Sequence, residues 1–250
     1  MREYRADVHV HTVLSPCGDV EMSPGNIVHE AALKNIDILG ITDHNSTLHA
    51  PLVKRLAEQK GIFVLCGAEV TTKEEIHCLA FFENFERLNE FQHYLEANII
   101  RVKFNPGAYG YQLVVDEYEQ VLKEIDTWLV SALDQTIDQV EREVHRLNGL
   151  FIPAHIDRPA YGLISQLGFI PPDLPVDALE IQSDQAKARL IKQFPDLEAY
   201  TFICSSDAHY PGQIGQRTTT FSIKSACFEE IRLALKGING RSVKYNTGHS

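Results

Sequence analysis

Eight side chains of the types that hold divalent cations fall at the ends of apolar runs in this 250-residue sequence. His9 and His11 close RADVHV, His44 follows Asp43 after DILGIT, and Glu69 ends VLCGAEV. His77 opens HCLAFF, His155 ends LFIPAH, and Asp207 and His209 follow TFICSS. A side chain at a strand end is aimed into the mouth of a parallel sheet or barrel, where chemistry collects. Imidazoles and carboxylates converging from several strands suit a cluster of borderline or hard dications. In a strand, residues i and i+2 share a face, so His9 and His11 can chelate one ion. The chemistry this implies is metal-assisted hydrolysis. No GxSxG or Cys–His pattern suggests a covalent protein nucleophile. The remaining histidines read as ordinary: His29, His93 and His145 in predicted helices, His49, and His249 in the C-terminal tail.

The elements that must position these groups are seven predicted strands: RADVHV, DILGIT, IFVLCGAEV, IHCLAFF, LFIPAH, ALEIQ and TFICSS, with TTTFSI as a possible extra one. Several are nearly continuous in apolar character, as parallel strands covered on both faces are. Ser23 as N-cap, Pro24 at the first helical position and the stripe Ile27, Val28, Ala31, Ala32 predict a helix between the first two. A second crossover helix is expected over 52–60. Only about 71–75 separates the third and fourth strands, whereas a parallel crossover needs roughly a dozen residues. An antiparallel hairpin follows, and it puts Glu69 and His77 at the same rim.

Residues 85–148 read as a long, mostly helical insert without strand signals comparable to the others. Leu133, Ile137, Val140, Val144 and Leu147 step by four and three before an Asn148-Gly149 stop, the clearest helix in the chain. The stretch 101–112 carries Phe104, Tyr109 and Tyr111 among Pro106, Gly107 and Gly110, and reads as either a lid over the site or a connecting loop.

The length and the 44% hydrophobic content fit one closed α/β barrel rather than two average domains. Five scattered cysteines without a CxxC pair, and an N-terminus without a signal-peptide core, lead us to expect a reduced, cytoplasmic protein with no membrane span. A formal charge of −11 argues against tight binding of duplex nucleic acid. It leaves small phosphorylated substrates open, since bound cations invert the local sign.

The series ADVHVHTVLSPCGD, ITDHN, GAEVTT, IHCLAFF, PAHIDRP and SSDAH, in that order, resembles the PHP (polymerase and histidinol phosphatase) metal-dependent phosphoesterases along essentially the whole chain. The resemblance implies a distorted (β/α)7 barrel, TIM-barrel-like, holding two to three divalent ions of zinc, manganese or iron. It places His9, His11 and Asp207 on a first ion, with Glu69 bridging to a second completed by His77 and His155. His44 and His209 would bind a third with a residue from the loop after the HxH strand. That loop offers Cys17 and Asp19; an acidic oxygen suits manganese and iron as well as zinc, which favours Asp19.

Asp43 could orient His44 or relay a proton, or make a structural hydrogen bond. Arg158 could grip a phosphate through its planar fork, or pair with nearby Asp157. The reaction expected is attack of a metal-activated water on phosphorus, in a small phosphomonoester such as histidinol phosphate or a nucleotide, or in a short single-stranded oligonucleotide. Amide or lactone hydrolysis at a similar centre is the alternative, and a metal-binding interaction module without catalysis is a third reading. The sequence leaves the oligomeric state open.

Overall fold

A computed structural model describes residues 1–248. His249, read above as a tail residue, lies outside the described residues. The elements in order are β1 (Arg2–Val10), α1 (Pro24–Leu33), β2 (Ile38–Ile41), α2 (Ala50–Glu58), β3 (Phe63–Thr71), β4 (His77–Phe82), α3 (Phe85–Asn98), α4 (Pro106–Tyr109), β5 (Leu113–Val115) and β6 (Val121–Glu124). They continue with α5 (Ile137–Arg146), β7 (Leu150–Pro153), α6 (Leu163–Leu167), β8 (Leu179–Glu180), α7 (Asp184–Gln193), β9 (Phe202–Ile203), β10 (Thr218–Ile223), α8 (Phe228–Leu235) and β11 (Ser242–Asn246).

Each of the seven expected runs contains a strand, and TTTFSI is β10. The fold is a distorted α/β barrel. Its main sheet runs β11-β10-β1-β2-β3-β4-β7, with β1, β2 and β3 parallel and β3, β4 and β7 antiparallel. The parallel pair β8–β9 continues the wall: Asp177 N–H donates to Phe151 O at 2.9 Å on one side. On the other, His11 N–H donates to Ala208 O at 3.0 Å and returns the chain to β1.

The strands are apolar on both faces because both are covered. One face carries Leu39, Ile41, Val64, Ala68 and Phe151, packed against Ile27, Val28 and Ala31 of α1, Val53 and Ala57 of α2, Phe91 of α3 and Val140 and Val144 of α5. The other carries Val8, Ile38, Leu65, Leu79, Phe81 and Ile203 with Phe228 and Ile231 of α8. Ser23 caps α1 as expected, accepting from Asn26 N–H at 3.3 Å. Thr136 and Gln139 form a reciprocal capping box on α5.

The β3–β4 hairpin is antiparallel with Thr71 opposite His77 and Glu69 opposite Leu79. Glu69 and His77 are thus diagonal neighbours on one face, within side-chain reach. In 85–148 the structure corrects one expectation: besides α3, α4 and α5 the segment holds the short antiparallel hairpin β5–β6. Its seven residues are mostly exposed or half-buried, so they lack the apolar alternation that marks a strand.

Candidate metal centre

The eight strand-end residues meet at one rim of the barrel. Seven of them are buried and His209 is half-buried. Glu69 is at the middle: its Oε1 lies 2.9 Å from His77 Nδ1, 3.0 Å from His155 Nε2 and 3.3 Å from His9 Nε2. Its Oε2 lies 3.1 Å from His44 Nδ1 and 3.3 Å from His11 Nε2. Asp207 Oδ1 is 3.3 Å from His9 Nε2 and 3.2 Å from His11 Nε2, and those two nitrogens are 3.2 Å apart.

These separations decide what the cluster fits. Donors bound to one ion at about 2.1 Å sit about 3.0 Å apart at a right angle and about 3.4 Å apart at a tetrahedral one. The distances of His9 and His11 from each other, from Asp207 and from Glu69 fall inside that window. Hydrogen bonding does not account for the whole cluster: the buried Nδ1 of His44 and both ring nitrogens of His77 have no hydrogen-bond partner. The Nδ1 atoms of both lie near Glu69 without hydrogen-bond geometry, as nitrogens aimed at a shared ion would. Buried polar atoms left unpaired are costly, and a cation resolves the cost. Three donor triplets are close enough to share an ion: His9, His11 and Glu69; His44, Glu69 and His77; and His11, His44 and His209.

Outer hydrogen bonds aim the rings. Glu180 Oε2 lies 2.9 Å from His9 Nδ1, so that nitrogen carries the proton and Nε2 faces the centre. The Ser15 hydroxyl donates to Asp43 Oδ1 at 2.7 Å, so its oxygen is left to accept from His11 Nδ1 at 3.0 Å and from His44 N–H at 3.2 Å. His209 Nδ1 donates to Asp207 O at 2.9 Å. Three imidazoles therefore offer Nε2 to the centre. Glu180 and Ser15 were missed in the sequence, where a glutamate inside ALEIQ reads as one more strand residue.

Burial works against charge on Glu69, but the imidazoles of His77, His9 and His44 hold its carboxyl well below the usual range. Burial is likewise outweighed at Asp207, which His9 and His11 keep ionised. For His9, Glu180, Asp207 and Glu69 overcome desolvation and raise the imidazole well above its ordinary value. His11 is raised to about 9: burial lowers it, but hydrogen bonds to Asp207 and Glu69 more than compensate. Desolvation depresses His44 and His77, and takes His209 down to about 4 with His11 adding repulsion. Two carboxylates stay charged among imidazoles, a donor set ready for dications.

The other expected residues are placed differently. Asp43 is buried and accepts from Thr12 N–H at 2.7 Å, the Thr12 hydroxyl at 2.8 Å and Ser15. It makes no contact with the His44 ring and acts on His11 through Ser15. Asp19 is not brought into the pocket over the cluster, which Cys17 lines instead. The Asp19 carboxylate accepts Glu21 N–H at 2.8 Å, closing a local turn. Cys17 is exposed where it lines that pocket. Arg158 does not pair with Asp157, whose carboxylate accepts Gln182 N–H at 3.1 Å. Its Nη2 bonds Asp207 Oδ2, so the arginine reaches the cluster itself.

The pocket above the cluster has a volume of about 300 Å³ and is walled by Tyr109, Trp128 and Tyr161 with Arg158. Of the aromatic stretch 101–112, Tyr109 lines this pocket. The stretch is seated at Gly110, whose φ is +95° and where a Cβ would come within 2.2 Å of Pro16 O. Tyr161 has φ +60° and stacks on His77 with ring centroids 4.4 Å apart.

A barrel mouth carrying buried imidazoles and carboxylates at ion-sharing distances defines the class as a metal-dependent hydrolase. The PHP domain family matches residues 7–156, and the chain belongs to that family. Protein YqxK of Bacillus subtilis (strain 168) is 27% identical over 99% of this chain, which spans 66% of that relative's length. The lesion-specific endonuclease Q of Pyrococcus furiosus has a similar fold, with a TM-score of 0.73 at 21% identity over 97% of this chain and 58% of its own. An endonuclease Q complex with a 27-mer duplex bearing an abasic lesion at the active site gives a TM-score of 0.71, also at 21% identity, over 96% of this chain and 58% of its own. The expectation against duplex binding therefore loses its support: a protein of this fold engages duplex whatever the net charge here. Among the described residues no helix is long and apolar enough to cross a membrane.

Proposed function

We propose that this chain is a metal-dependent phosphoesterase that hydrolyses a small phosphomonoester or a short oligonucleotide phosphoester. The observation that carries the reading is Arg158: a guanidinium lines the pocket over the metal cluster and bonds one of its carboxylates. Two or three divalent ions of zinc, manganese or iron are the expected complement, since mixed imidazole and carboxylate donors suit all three metals. His9, His11, Asp207 and Glu69 would hold the first, Glu69, His77 and His155 the second, and His44 and His209 the third. When bound, the ions supply Lewis acidity to the phosphoryl oxygens and acidify the attacking water.

The chain's own residues do the positioning. Glu180, Ser15 and the Asp207 carbonyl keep three Nε2 atoms turned inward. Arg158 presents a planar fork to a phosphoryl oxygen. Tyr109, Trp128 and Tyr161 narrow the access of bulk water. The five free thiols are consistent with a reduced, cytoplasmic setting.

The likeness to endonuclease Q favours a second reading, cleavage of a phosphodiester within damaged duplex DNA. One panel separates the readings: histidinol phosphate, a nucleoside monophosphate, a short single strand, a duplex with an abasic site, and a simple amide and lactone. Metal-dependent phosphate release from the monoesters or the single strand supports the proposal. Cleavage confined to the duplex selects the second reading, and turnover confined to the amide or lactone removes both.

A further inference from the structure

The walls of the pocket are unusual beside its floor. The floor is ionic, whereas Trp128, Tyr109 and Tyr161 give the walls three large rings. Trp128 lies 5.5 Å from Tyr109, centroid to centroid and edge-on, and 5.0 Å from Phe104, so Trp128 and Tyr109 make up one aromatic side of the pocket, with Phe104 packed against the tryptophan. Tyr109 is 61% exposed, more than a side chain serving only the core would be. Tyr161 keeps a left-handed backbone that bulky residues avoid, and such strain gathers at functional sites. A volume of about 300 Å³ is at the small end for ligand pockets, enough for one ring system rather than an extended chain.

We propose that Trp128 and Tyr109, with Tyr161, form a stacking clamp for one planar heteroaromatic ring of the substrate, such as a nucleobase, while its phosphate lies at Arg158 over the metal cluster. This deepens the phosphoester reading above and rests on it for the position of the phosphate. Aromatic faces accept any base, because every base has a π-face to stack. The clamp therefore selects nucleoside phosphates over sugar phosphates without reading which base is present.

Trp128 is the sole tryptophan of the chain, so intrinsic fluorescence reports on the clamp directly. The metal-loaded protein is titrated with uncleavable phosphonate analogues of AMP and of ribose 5-phosphate, with calorimetry alongside. The AMP analogue should quench Trp128 and bind at least about fivefold more tightly, the low end of a stacking contribution. Trp128→Ala and Tyr109→Ala should each remove most of that advantage and leave the ribose analogue unaffected, with Trp128→Phe retaining it. Equal affinity for the two analogues, or substitutions that shift both alike, would overturn the clamp. Hydrolysis of AMP and ribose 5-phosphate is followed separately. Equal turnover of both leaves the phosphoesterase reading standing and the clamp refuted. Selective quenching without hydrolysis of either, or of any phosphoester in the panel above, leaves the clamp standing and that reading refuted.

Discussion

Arg158 passes over its sequence neighbour Asp157 and bonds Oδ2 of Asp207, whose Oδ1 lies 3.2 Å from His11 Nε2. One carboxylate thus joins the guanidinium to the cluster. If Arg158 binds a phosphoryl oxygen as charge develops there, Arg158→Ala lowers kcat and kcat/KM together. The expected loss is at least about tenfold, roughly 1.4 kcal/mol of transition-state stabilisation, with metal content unchanged. Steady-state kinetics and elemental analysis on the same preparation check it. Unaltered turnover would assign Arg158 a purely structural role.

Glu180 fixes His9 from behind at 2.9 Å and also accepts His155 N–H at 3.0 Å, so it supports two candidate ligands. Removing such a partner typically weakens metal affinity by about 10- to 100-fold. Glu180→Ala should do so in competition titrations against a chelator. An unchanged affinity would mean the ring is held by packing alone.

Metal affinity should depend on pH with a definite sign. His11 is raised to about 9, and His9 is raised well above its ordinary value, so both carry a proton at neutrality that an ion must displace. Affinity should therefore fall as pH drops below about 9, by up to tenfold per unit for each proton displaced. His209, at about 4, is already neutral there and adds no such dependence. Metal titrations at several pH values measure the slope; a flat profile between neutrality and pH 9 would contradict the protonation pattern.

A second pH effect concerns stability far from the site. His145 on α5 has its Nε2 3.0 Å from Asp177, and the hydrogen bond to Asp177 raises its pKa against partial desolvation. A raised folded pKa stabilises fully below the unfolded value and loses that contribution as pH rises through the folded one. His145→Ala should cost more stability at about pH 5.5 than at about pH 9, by about 1 kcal/mol or less for a pair this exposed. Denaturant melts at the two pH values decide it, and an equal cost at both would leave the ion pair without a role.

Much of this was legible in the sequence because the barrel strands are apolar runs ended abruptly by a polar ligand. The short β3–β4 separation was enough to bring Glu69 to His77. What escaped depends on contacts between distant positions. Glu180 meets His9 across 171 positions and Arg158 meets Asp207 across 49, and neither pairing leaves a local signature. Composition does not separate Asp19 from Cys17 either: Asp19 Oδ1 accepts Glu21 N–H at 2.8 Å, whereas Cys17 lines the pocket. β11 escaped too: its pattern alternates exposed and half-buried residues, weak beside the buried runs. His155 at φ +28° and Asp207 at φ +54° adopt left-handed backbones, which the surrounding fold imposes on them.

Whether the eight rim residues hold catalytic ions is tested most directly by metal analysis coupled to chelation. Purified protein should carry two or three divalent ions per chain. Exhaustive chelation should abolish phosphoester hydrolysis, and zinc, manganese or iron should restore it. Less than one ion per chain, with hydrolysis indifferent to chelator, would contradict the claim.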